Sequence, residues 1–128
     1  METAYIDVAG EWGIIVCFDF GRDDWDDMRA IMRTFGMGED NVREAIRVLA
    51  GVNTGMCVSR DDIRMSCVFI GEASSPEQWW DTMAHEVLDH AKESIKAYYG
   101  VPTRSEDSAW LTGYLMRAVV TIFGMPCG

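Results

Sequence analysis

At 128 residues, with 48% hydrophobic and 25% charged residues, the chain has the balance of a globular domain, not of a disordered segment. A formal net charge of −10 argues against a nucleic-acid partner, because phosphate-backbone binding needs clustered Lys and Arg. The charge is compatible with a soluble enzyme, with a basic protein partner, or with mimicry of nucleic acid.

The first candidate element is Gly13–Phe20, a short and nearly continuous apolar run that predicts a buried strand ending at Gly21. Ahead of it, Glu2 and Asp7 interrupt the apolar residues, and no basic region precedes an apolar one, so no signal peptide is expected. Asp23 suits a helix N-cap, and Asp24, Asp26 and Asp27 favour the positive end of the helix dipole. Trp25, Met28, Met32 and Phe35 then follow at helical spacing. The acidic cluster therefore reads as a helix start before it reads as a metal site. Asp40 is placed to cap a second helix with Val42, Ala45, Ile46 and Leu49 on its inner face.

Val52–Arg60 and Ile63–Gly71, separated by Asp61-Asp62, predict an antiparallel hairpin with Ile63, Met65, Cys67 and Phe69 alternating onto one face. Ser75-Pro76-Glu77-Gln78 is a strong helix start: an N-cap, a proline at the first helical position and a capping-box glutamine. The helix that follows runs to Tyr99, with Trp80, Met83, Val87, Ala91 and Tyr98 on its core side. A last helix begins near Thr103 to Ser105 and carries Ala109, Trp110, Leu111, Leu115, Val119 and Ile122. Gly124 and Pro126 close the chain. The order β-α-α-β-β-α-α predicts an α+β fold, a small antiparallel sheet packed with about four helices. One domain is expected over 1–128, with the sheet and first helices in about 1–72 and the later helices in about 75–124.

Cys17, Cys57, Cys67 and Cys127 form no C-x-x-C pair, and the first three sit in apolar runs as small buried side chains. No apolar stretch approaches membrane-spanning length. A reduced, cytoplasmic setting and no membrane partner are expected.

The two histidines of the chain, His85 and His90, both fall in the helix opened by Ser75, and Glu86 follows the first directly. The spacing is His-Glu-x-x-x-His, one residue longer than the common zinc-hydrolase motif. On a regular helix the two imidazoles diverge by roughly 140°. Two geometries restore a metal site. A regular helix places Asp89 one turn after His85, and a carboxylate oxygen is an acceptable zinc ligand. Alternatively, a π-bulge absorbs the extra residue and brings His90 beneath His85. The apolar stripe favours the first, and the presence of a histidine at 90 favours the second; both stay open.

His85-Glu86 on a helix, preceded by a hairpin and followed by a helix bearing Ser105-Glu106-Asp107-Ser108-Ala109, resembles compact zincin metallopeptidases of the gluzincin type. Small members of that kind occur in phages and mobile elements. The resemblance covers the second half of the chain and rests on a short motif. It implies a bound zinc, a peptide or protein substrate, His85 as first ligand, Glu86 as general base and Glu106 as downstream carboxylate ligand. At the second ligand position this sequence departs from the pattern, since Asp89 stands where histidine is expected. Thr103-Arg104-Ser105-Glu106 also reads as a capping box, which gives Glu106 an ordinary structural role. The competing expectation is a non-catalytic acidic module on a degenerate zincin-like fold, engaging a basic partner through Asp23 to Asp27, Glu39, Asp40, Asp61 and Asp62.

Overall fold

Two antiparallel strands open the chain, β1 (Glu2–Val8) and β2 (Trp12–Phe18). The computed structural model describes residues 1–124, so Pro126 and Cys127 lie outside the described residues. β1 is a strand that the sequence reading did not anticipate. Its inward set Ala4, Ile6 and Val8 has the two-residue period of a strand, but exposed Glu2 opens it and Thr3, Tyr5 and Asp7 on the outer face interrupt the apolar residues. Ala9 and Gly10, both at positive φ, turn the chain back, and Glu11 N–H donates to the Val8 carbonyl at 2.9 Å.

After β2, the chain leaves the sheet through a short 3₁₀ turn (Arg22–Asp24) and helices α1 (Trp25–Thr34) and α2 (Glu39–Leu49). Asp23 is not the N-cap. The Asp24 carboxylate instead accepts from Gly21 N–H at 2.9 Å and meets the N-terminal amine at 3.3 Å. Gly38, not Asp40, occupies the N-cap of α2. The chain re-enters through the hairpin β3 (Gly55–Arg60) and β4 (Met65–Ile70), with Asp61 to Arg64 forming the turn.

β4 pairs with β3 antiparallel but with β2 parallel, so the strand order is β1-β2-β4-β3 and the sheet is mixed. The expectation of an antiparallel sheet is corrected here. The excursion through α1, α2 and β3 is long enough to bring β4 back in the direction of β2, which a tight turn cannot do.

The later helices form one continuous rod of three parts: α3 (Pro76–Met83), a π-helical segment (Ala84–Ala91) and α4 (Lys92–Tyr99). Ser75 caps it, its Oγ accepting from Gln78 N–H at 3.1 Å, and Gly100 ends it at φ +68°. α5 (Glu106–Phe123) packs beside the rod. No described helix is long and apolar enough to cross a membrane.

Helices cover both faces of the sheet. Cys17, Cys67 and Phe69 face α1 and α2, meeting Met28, Met32, Phe35, Val42 and Leu49. Ile6, Ile14, Val16, Val68 and Ile70 face the rod and α5, meeting Met83, Val87, Ala91, Leu111 and Leu115. Strand alternation thus feeds two cores at once. In the hairpin Met65, Cys67 and Phe69 share a face as expected, whereas Ile63 falls in the turn and is exposed.

The rod's seam is Met83, Val87, Ala91 and Ile95, with Ile95 in place of the expected Tyr98. Tyr98 lies outside the core and packs edge-on against Trp12, with centroids 5.7 Å apart. On α5, Leu111, Leu115 and Val119 are buried as expected, but Ala109, Trp110 and Ile122 are exposed.

Candidate metal centre

Four-residue spacing along the rod's seam explains its helical form. On a regular helix each such step overshoots a full turn by about 40°, so Met83, Val87, Ala91 and Ile95 would wind away from the sheet. The i→i+5 bonding of a π-helix widens the turn and offsets that drift. The segment Ala84–Ala91 lies where the seam must stay against β3 and β4. The same widening brings His90 level with His85, five residues earlier.

Their rings lie 4.3 Å apart between centroids, inclined by 58°. Glu86 completes the group: one ligand-capable atom from each of His85, Glu86 and His90 lies within 4.8 Å of the others. The bulged alternative is therefore the geometry present. Asp89 is exposed on the same segment and lies outside this group. Glu106 is the exposed first residue of α5 and also lies outside it. The expected Thr103–Glu106 capping box is replaced by a cap from Ser105, whose Oγ accepts from Ser108 N–H at 3.1 Å.

Burial divides the three residues sharply. His85 and His90 are exposed, whereas Glu86 is only 3% exposed. Its Oε2 lies 3.2 Å from His90 Nδ1. An ionised carboxylate only accepts, so in this pair Nδ1 carries the proton and donates. The Nε2 lone pair of a neutral His90 is then left available to a metal. A carboxylate on the far nitrogen is the usual way in which a ligand imidazole is oriented.

Glu86 is buried because β3 begins with a residue that has no side chain. A Cβ on Gly55 would stand 2.9 Å from Glu86 Cγ and 2.6 Å from Thr82 Cγ2. No motif in the sequence marks Gly55 or Thr82 as part of the site. The available signal was a glycine beside a strand, which often marks close approach by a neighbouring element.

Cys57, two residues along β3, faces the same side. Burial pushes its thiol up to about 12, against the lowering effect of the Ser59 hydroxyl and with a further rise from the Glu86 charge. It is therefore a neutral thiol near neutral pH. Beyond it, Ser59 Oγ meets Ser66 Oγ at 2.7 Å, and Trp12 Nε1 donates to Ser66 at 3.0 Å. These contacts satisfy the polar groups buried between the sheet and the rod.

The expected polar face of His85, Asp89, Lys92 and Lys96 also changes. Lys96 is 3% exposed and donates from Nζ to Glu93 Oε1 at 3.1 Å and to the Thr103 carbonyl at 3.4 Å. Lys92 Nζ donates to Thr112 Oγ1 at 3.0 Å. Both lysines tie the rod to the connection or helix that follows it.

Two imidazoles and a carboxylate form a donor set that can hold a metal ion. No protein-family model, curated protein or solved structure matches the chain.

Proposed function

We propose that the protein is a zinc-dependent hydrolase acting on peptide bonds, with His85 and His90 as metal ligands and Glu86 as general base. The observation that carries this reading is the π-helical segment, which joins two otherwise divergent histidines beside a buried glutamate. Bound zinc would supply a water of lowered pKa and polarise a carbonyl oxygen. Glu86 is held by His90 at one oxygen and shielded by β3, and a carboxylate in that position takes a proton from water and returns it to a leaving amine. The exposed imidazoles leave the group open to an incoming substrate. Participation of Glu106 rests on the gluzincin resemblance alone, as does the choice of a peptide substrate.

Elemental analysis of freshly purified protein tests the metal directly. One zinc per chain is expected, lost in His85→Ala and His90→Ala and retained in Asp89→Ala. If no metal co-purifies and added zinc leaves the melting temperature unchanged, the reading fails. Glu86→Gln should lose about 10²–10⁴-fold in hydrolysis, the usual contribution of a general base.

A second reading, a non-catalytic acidic module, draws on the net charge of −10. Many of its proposed contacts are already engaged within the chain. Asp26 pairs with Arg29, Glu39 with Arg33, Asp40 with Arg43, and Asp62 with Arg60. Salt-sensitive binding to a basic protein that survives Glu86→Gln would favour it over the hydrolase.

A further inference from the structure

A separate apolar cleft lies at the end of the rod, where α4, the start of α5 and the β1–β2 turn meet. Its volume is about 400 Å³, large enough to receive bulky side chains. Val8, Ile95 and Leu111 form its buried floor, and Tyr99 and Trp110 flank it at 41% and 56% exposure. An exposed tryptophan beside buried apolar residues is the kind of anchor that protein interfaces use.

The charges lining the cleft have one sign. Glu11 and Asp107 line it, and no Lys, Arg or His among the described residues does so. Glu11 is partly engaged, accepting from the Tyr99 hydroxyl at 3.1 Å and lying 3.8 Å from Arg64. Asp107 has no ion-pair partner or side-chain hydrogen bond among the described residues, unlike the carboxylates paired along α1 and α2. An indole face beside a free carboxylate attracts a cation by two independent routes.

We infer that this cleft docks a basic, apolar peptide segment of a partner protein. An apolar side chain of the segment fills the floor, and a neighbouring Lys or Arg meets Asp107 and the Trp110 ring. The inference is independent of zinc and of the hydrolase reading, because no residue of the cleft belongs to the His85–Glu86–His90 group.

The test is titration of the full chain with a fluorescently labelled peptide of alternating leucine and lysine. Saturable binding is expected, weakened by about tenfold in Trp110→Ala, the scale of an aromatic anchor. A loss of roughly threefold is expected in Asp107→Asn, the scale of an exposed charge pair. Asp40→Asn changes the net charge equally on the opposite face of the sheet and should bind as wild type. Replacing each lysine by glutamate, or each leucine by serine, should abolish binding. The inference is overturned if the peptide does not saturate or if Trp110→Ala binds like wild type. Equal weakening by Asp40→Asn and Asp107→Asn would overturn it too, since net charge would then be the whole attraction. Trp110 is exposed, so an unchanged circular-dichroism melt of Trp110→Ala would show that lost binding is not lost folding.

Discussion

The two faces of the sheet differ in what they bury. The face covered by α1 and α2 encloses apolar and sulfur-bearing side chains, among them Cys17, Met28, Met32, Cys67 and Phe69. Its charges remain outside, in short-range pairs such as Asp26–Arg29 and Asp40–Arg43. The face covered by the rod and α5 holds the buried polar residues: Ser66, Thr82, Glu86, Lys96 and Ser108. Among the described residues none of these leaves a buried side-chain polar atom unpartnered. Burial of polar groups is costly unless each is paired, so the first face reads as a buttress and the second as the face that holds paired polar groups, the proposed metal centre among them.

Core truncations should test that difference most strongly. Met28 and Met83 are fully buried on opposite faces, and replacing either by alanine should cost about 2–5 kcal/mol. Chemical denaturation would measure the loss. For the proposed metal centre the distinction lies in zinc affinity of the folded protein: Met28→Ala should preserve it, whereas Met83→Ala should weaken it by loosening the seam beneath the π-helical segment. Equal retention of zinc by both variants would remove the functional contrast between the faces.

Gly55→Ala comes next. The added methyl meets Thr82 and the stem of Glu86, and overpacking of this kind costs about 1–3 kcal/mol. Weaker zinc binding should accompany the lower stability, read by calorimetric titration. Gly13→Ala is the matched control. Its methyl would meet the ring of exposed Tyr5, which can move aside, so zinc binding should be unchanged.

Removing the rod's N-cap is milder. Ser75→Ala deletes the bond to Gln78 N–H and should lower stability by about 1 kcal/mol. A melt that matches wild type would mean that the tertiary contacts of the rod make this cap redundant.

The last effect is a pH slope confined to the alkaline range. Cys57 has its thiol raised from the ordinary 9.0 to about 12 in the folded protein, chiefly by burial. Above 9.0 the unfolded thiol loses its proton first, so the unfolded state binds fewer protons and stability falls as pH rises toward about 12. Cys57→Ala should flatten part of this decline in denaturation curves taken from pH 8 upward, and an unchanged slope would contradict the assignment.

Where periodicity and burial coincide, the sequence was legible. Met28, Met32, Val42 and Leu49 are buried at the helical positions expected of them, and Ser75 and Pro76 open the rod as their chemistry requires. β1 was not legible, because its inner residues alternate with exposed Thr3, Tyr5 and Asp7 behind an exposed Glu2, a pattern without a long apolar run. Trp110 was misplaced for the reverse reason. Its helical spacing set it among the apolar residues of the last helix, yet α5 turns it to the acidic cleft.

The sequence by itself determined the α+β class, the Ser75 cap, the hairpin and the clustering of both histidines around Glu86, since each follows from residue type and spacing within a few positions. Tertiary structure decided the rest. The parallel pairing of β2 with β4 depends on where a long excursion returns, and local patterns do not encode that. The choice of His90 over Asp89 depends on a seam that must stay against the sheet for its full length, which favours a widened helical turn over a regular one. The burial of Glu86 depends on Gly55, some thirty residues away in the chain and in contact only because the edge strand packs on the rod.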